Sequence, residues 1–189
     1  MPKGIYTRTK PASNRKYEPG NEYDTPCGRL RIHAVFPKGH NGASNARAIV
    51  EFVGTGYTTN CQLSNIPAGK VKDRRLPTVY GVGYLDMEGT LPARGHAMRN
   101  VYDLWANMLK RCYHEHTGAT VDPRWHSFRC FLDTIHKVPG FAEWEQDTSM
   151  HLDKDIRVPG NLVYSVETCT FVSAAENVRD CLKRRWAKA

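Results

Sequence analysis

The chain has 189 residues, 40% of them hydrophobic and 10% aromatic, enough for a packed core in one domain or two small ones. Its 27 Lys and Arg outnumber 19 Asp and Glu, giving a formal charge of +8, a balance that favours a polyanionic partner such as nucleic acid. No apolar run approaches the roughly 18 residues of a membrane-spanning helix, and the basic start MPKGIYTRTKPASNRK lacks the apolar stretch of a secretory signal. The expectation is a soluble, cytoplasmic protein with no membrane partner.

Residues 1–20 are polar, basic and rich in Pro, Gly and Ser, which predicts a flexible basic arm. Residues 21–90 predict a small β-rich domain. RLRIHAVF (Arg29 to Phe36) alternates and puts Leu30, Ile32, Ala34 and Phe36 on one face. ARAIVEFV (Ala46 to Val53), GTGYTTNCQLSNI as a turn into another strand, and PTVYGVGYL (Pro77 to Leu85) supply the rest of a twisted antiparallel sheet or open barrel. YGVGYL contains GxG, but neither a helix nor a third glycine follows, so it does not read as a nucleotide loop.

Residues 91–189 predict helices and then a β-loop-β-helix unit. AMRNVYDLWANMLKRCY (Ala97 to Tyr113) places Val101, Leu104, Trp105, Met108 and Cys112 at helical spacing. WHSFRCFLDTIHKV (Trp125 to Val138) is a second helix that Pro139-Gly140 stops. FAEWEQDTS is a loop or short turn. MHLDKDI alternates, RVPGN is a turn, NLVYS is the return strand and CTFV a bridge. Ser173 and Glu176 form a capping box for the last helix. The fold class expected is α+β.

Six cysteines without a CxxC read as free thiols. Cys112, His114, His116, His126 and Cys130 include zinc-ligand types, but CxHxH is not a usual spacing, so zinc is not expected. Phosphate-neutralising candidates are Lys70, Lys72, Arg74 and Arg75, with Lys183, Arg184 and Arg185 at the end of the chain. Asp153 or Asp155 with Asn177 could offer oxygen ligands to Mg²⁺ or Mn²⁺. His151 is the histidine of that segment that could serve as a base.

YDLWANMLKRCY, WHSFRCFLDTI and LDKDIRVPGNLVYSVETCTFV followed by Asn177 resemble the HNH-like homing endonucleases encoded by bacteriophages. The resemblance covers about residues 97–180. TGYTTNCQLSNIPAGKVKD and PTVYGVGYL resemble, less closely, the small β domain that precedes the HNH part. The family's first strand usually ends in Asp-His, its hairpin carries Asn in a Pro-Glu-Asn-Cys segment, and its helix supplies His or Asn. Asp153 then matches the acid, Lys154 stands at the base, Thr168 replaces the Asn and Asn177 matches the helical ligand. The resemblance implies a ββα HNH-like unit that binds duplex DNA and nicks or cuts it with a metal ion. Lysine is a poor base at neutral pH, although it could stabilise a phosphate, and Asp155 could act as a second acid. Lys154 and Thr168 favour an alternative: a catalytically inactive HNH-derived module that binds DNA or a bacterial host protein during infection. The basic tails also permit an RNA-associated structural role.

Overall fold

A computed structural model of the chain describes residues 16–87, 91 and 93–186, without the side chains of Arg184 and Arg185. The larger part of the expected basic arm, residues 1–15, lies outside the described residues. The fold is α+β, in two compact units that meet between Asp73 and Arg74, whereas the composition changes near Gly89.

The first unit is an antiparallel sheet of β1 (Glu22–Thr25), β2 (Gly28–Phe36), β3 (Arg47–Phe52) and β4 (Tyr57–Gln62), ordered β1-β2-β3-β4. One face is apolar. Leu30, Ile32, Ala48, Val50 and Cys61 bury there under Leu63, Ile66 and Val71. The other face is charge-paired: Arg31 lies between Glu22 and Glu51 in register and reaches both, at 2.7 and 3.2 Å. The register shifts between Ile32 and Ala34. That irregularity ends the alternation, so Val35 rather than Ala34 and Phe36 packs on the core. Phe36 stacks on His40 instead.

The second unit begins with the segment expected as a strand over Pro77 to Leu85. It is a turn: Thr78 and Val79 donate to Gly83 O, and Gly83 donates back to Val79 O. A side chain at Gly83 would come within 2.5 Å of Leu109 and 2.9 Å of Trp105. Helix α1 (Ala97–Leu109) follows and passes into a π-helical turn, Lys110–His114. Its buried face is Val101, Trp105, Met108 and Leu109, with Cys112 continuing it, close to the expected stripe. Full burial of side chains this size contributes about 1.5 to 3 kcal/mol each.

Strand β5 (Thr120–Val121) and a 3-10 turn (Pro123–His126) precede α2 (Phe128–Thr134). The expected long helix is broken at Ser127. That residue is extended, bridges Tyr84, accepts from Cys130 N at 2.9 Å and donates to Asp86 at 2.7 Å. A 3-10 turn (Ile135–Lys137) leads to α3 (Phe141–Gln146), which replaces the expected loop and buries Trp144. Strand β6 (His151–Asp153) pairs antiparallel with β8 (Thr170–Val172), so CTFV, not NLVYS, provides the return strand. NLVYS contains β7 (Val163–Tyr164), which pairs parallel with β5. The last helix, α4 (Ala174–Trp186), has the expected capping box: Ser173 Oγ accepts from Glu176 N, and the Glu176 carboxylate accepts from Ser173 N.

Gly140 opens α3 at φ 83°, and a Cβ there would sit 2.9 Å from both Cβ and carbonyl oxygen of Phe171. Gly81 has φ 76° but open space around it. Gly81→Ala should therefore cost only the left-handed strain, about 1 to 2 kcal/mol. Gly140→Ala should cost that plus about 1 to 3 kcal/mol of overpacking. All four tryptophans lie in the second unit, so urea unfolding followed by their fluorescence measures both variants. Equal costs would show that β8 can move away from α3.

Candidate nucleic-acid interface

Strand β6 stops at Asp153 because the side chain there takes over the backbone's hydrogen bonding. Asp153 is 8% exposed, and its Oδ1 accepts from Asp155 N at 2.8 Å and Ile156 N at 2.7 Å. This Asx-type turn sends Lys154 and Asp155 out of the strand. The alternation that would have put Asp155 on the face of Asp153 does not reach it.

The loop from 154 to 169 is a built scaffold. Asn161 Nδ2 donates to Lys154 O and Val163 O, both at 2.7 Å. Thr168 Oγ1 donates to Val163 O at 2.8 Å, and Arg157 Nη1 to Cys169 O at 3.0 Å. Thr168 thus holds the loop through its hydroxyl. Thr120 N and Asp122 N donate to Leu162 O and Tyr164 O, which fixes β7 from outside the loop. Burial pushes the Cys169 thiol up to about 12, so it serves as a buried apolar residue.

Lys154 is built into this scaffold. Its side chain is 17% exposed, its Nζ lies 3.6 Å from Asp155 Oδ2, and it sits 5.7 Å from the centre of the Tyr164 ring. Burial holds the Tyr164 hydroxyl above its ordinary value, with Arg111 opposing.

His151 and Asn177 come together. His151 Nδ1 lies 3.0 Å from Asn177 Nδ2, so the amide donates to a ring whose own proton is on Nε2. Strand alternation places Asp153 on the same side of β6 as His151. The packing of α4 on β6 thus brings His151 and Asn177 together at one edge. Beside it opens a groove of about 560 Å³ whose lining includes Asn107, Lys110, Arg111, Ser149 and His151. Neither Arg111 nor Asn107 stands in any motif of the sequence.

The expected phosphate-contacting cations differ in exposure. Lys70, Lys72, Arg75 and Lys183 are exposed. Arg74 is half-buried and donates to Met87 O. The side chains of Arg184 and Arg185 lie outside the described residues. Among the described residues Lys70, Lys72 and Lys183 make no ion pair. Arg29 and Arg31 are tied to Glu22, and Arg124 to Asp122 and Glu167.

The zinc-type residues do not gather. Cys112 is buried, His114 meets the Tyr80 ring, and His126 Nε2 lies 2.9 Å from Tyr113 Oη. Among the described residues no three His, Cys, Asp or Glu are grouped to hold a metal ion, and no helix is long and apolar enough to cross a membrane. Comparison with known proteins finds no matching family model, curated protein or solved structure.

Tyr113 Oη accepts from Val121 N at 3.2 Å, so it anchors β5 and through β5 the loop. It can donate to His126 only while that ring is neutral. Burial holds His126 below its ordinary value, against a weaker raising by Asp122. The unfolded chain takes the proton more readily. The stability from this contact is thus present above a pH of about 6.5 and lost as pH falls through it toward the lower folded value. Urea midpoints by tryptophan fluorescence should fall between neutral pH and pH values of about 5, and fall less in His126→Gln. Parallel profiles would remove His126 as the cause.

Proposed function

We propose that the chain is a duplex-DNA-binding protein built on an HNH-like β-loop-β-helix unit, with binding rather than cleavage as its main activity. The observation that carries this reading is the division of its cations. Arg29, Arg31 and Arg124 are used in ion pairs, while Lys70, Lys72 and Lys183 are exposed and make none among the described residues. Exposed, unpaired lysines are free to replace counterions on phosphates. The residues matched to the nuclease chemistry are engaged elsewhere. Asp153 Oδ1 holds the turn, and Lys154, at the position of the usual base, is paired with Asp155 and packed on Tyr164.

Nicking is the second reading, favoured by the His151–Asn177 contact. Asp153 and Asn177 are then the residues that would hold Mg²⁺ or Mn²⁺, which would stabilise the leaving oxygen of a phosphodiester. Asp153 Oδ2 makes no hydrogen bond among the described residues, which leaves one carboxylate oxygen for such a role. Asp155 fits less well because Lys154 lies against it.

Fluorescence anisotropy with a labelled duplex should show affinity falling steeply between about 50 and 200 mM salt. Replacing Lys70 and Lys72 together by alanine should lower the log–log salt slope by about 2, close to 0.9 per lost phosphate contact. A flat salt response would overturn the binding reading. In the same preparations, supercoiled plasmid with Mg²⁺ or Mn²⁺ should stay supercoiled. Relaxation by the wild type that disappears in His151→Ala, which leaves the Asp153 turn intact, would establish the nuclease reading. If the plasmid is nicked at all, Lys154→His should raise the rate.

A further inference from the structure

Among the described residues, Arg111 has a buried side-chain donor, Nε, with no hydrogen-bond acceptor. Its guanidinium lies 5.7 Å from the centre of the Tyr164 ring. Among the described residues it makes no ion pair. The cause is the π-turn at the end of α1. In an α-helix Arg111 and Glu115 would be partners at i and i+4. Here the turn spans five residues, with Glu115 N donating to Lys110 O at 2.9 Å. Glu115 accordingly pairs with Lys110, at 3.0 Å. The other acid lining the groove, Asp103, is taken by Arg99 at 3.0 Å. Both carboxylates of the groove are thus neutralised, and Arg111 is left as a surplus cation in the same lining as His151.

A guanidinium with a donor out of water and no counter-charge is costly. An anion removes that cost, and the planar fork of Arg suits the paired oxygens of a phosphate. π-turns of this kind recur at functional sites. We propose that the groove between α1 and the segment leading into β6 is a phosphate-binding subsite, anchored by Arg111 with His151 at its edge, that takes one phosphate of a nucleic-acid backbone. The source of the phosphate rests on the DNA-binding reading above; the anion site does not.

The test uses the full chain and two probes. Inorganic phosphate is titrated at fixed pH and matched ionic strength while the imidazole C–H signals are followed by NMR, with His151 assigned from His151→Gln. A labelled duplex is measured in parallel. Phosphate should move the His151 signals of the wild type, and Arg111→Met should abolish the movement and weaken duplex binding about tenfold or more, the loss expected for a charged hydrogen bond. Should Arg111→Met fail to fold, Arg111→Lys, which keeps the charge without the fork, should show a smaller movement and weaker duplex binding. Equal movement in wild type and variant would overturn the proposal. So would a wild type that ignores phosphate together with a variant that binds duplex normally. Arg111-dependent movement with no duplex binding by the wild type would keep the anion site, assign it to a free phosphate or mononucleotide, and sink the DNA reading.

Discussion

Two hydrogen bonds from backbone amides to Asp153 Oδ1 set the geometry of the candidate site. They end β6 after three residues and turn the chain so that Lys154 and Asp155 meet each other instead of continuing a ladder. A carboxylate engaged in this way loses part of its freedom to serve as a ligand. The same acid that suggests metal chemistry in the sequence is a piece of backbone architecture in the fold. What remains open at the edge of the unit is the imidazole of His151 with the amide of Asn177.

Legibility in the sequence followed periodicity and locality. Helix α1, strands β2 to β4 and the capping box of α4 were readable because each is specified by residues a few positions apart. Pro77 to Leu85 misled because valines, tyrosines and glycines suit a strand as well as a turn that needs close approach to Trp105. Helix α3 has six residues, too few for its period to show. The parallel pairing of β5 with β7 joins two-residue strands more than forty positions apart, Thr120 with Val163, and no local pattern encodes it. At the site, His151 and Asn177 were each identifiable, and their contact was not. Arg111 was hidden because its neighbour at i+4 is an acid, which reads as a satisfied surface pair. Only the π-turn, which transfers Glu115 to Lys110, reveals the vacancy.

The charges of the chain serve two purposes. Across the sheet, Glu22 and Glu51 pair with Arg29 and Arg31, which leaves the charged face of β1 to β3 close to balanced. Surface pairs of this kind add little to stability, yet they remove those cations from competition for a polyanion. Among the described residues, Lys70, Lys72 and Lys183 are left exposed outside ion pairs, and Arg111 has a buried donor without a partner, so the salt response and the Arg111 variants address different cations.

The pairing of β5 with β7 also bears on inheritance. A β-loop-β-helix unit is short enough to be passed between proteins as a cassette. Here its loop is held by Thr120 and Asp122, its β8 by the Pro139 carbonyl, and Glu167 by Arg124, all upstream of β6. A segment beginning at Met150 would leave those partners behind. The smallest piece of this chain that could be transplanted with its geometry intact extends back through α2 to β5, and recombination that cut between α3 and β6 would deliver the motif without its shape.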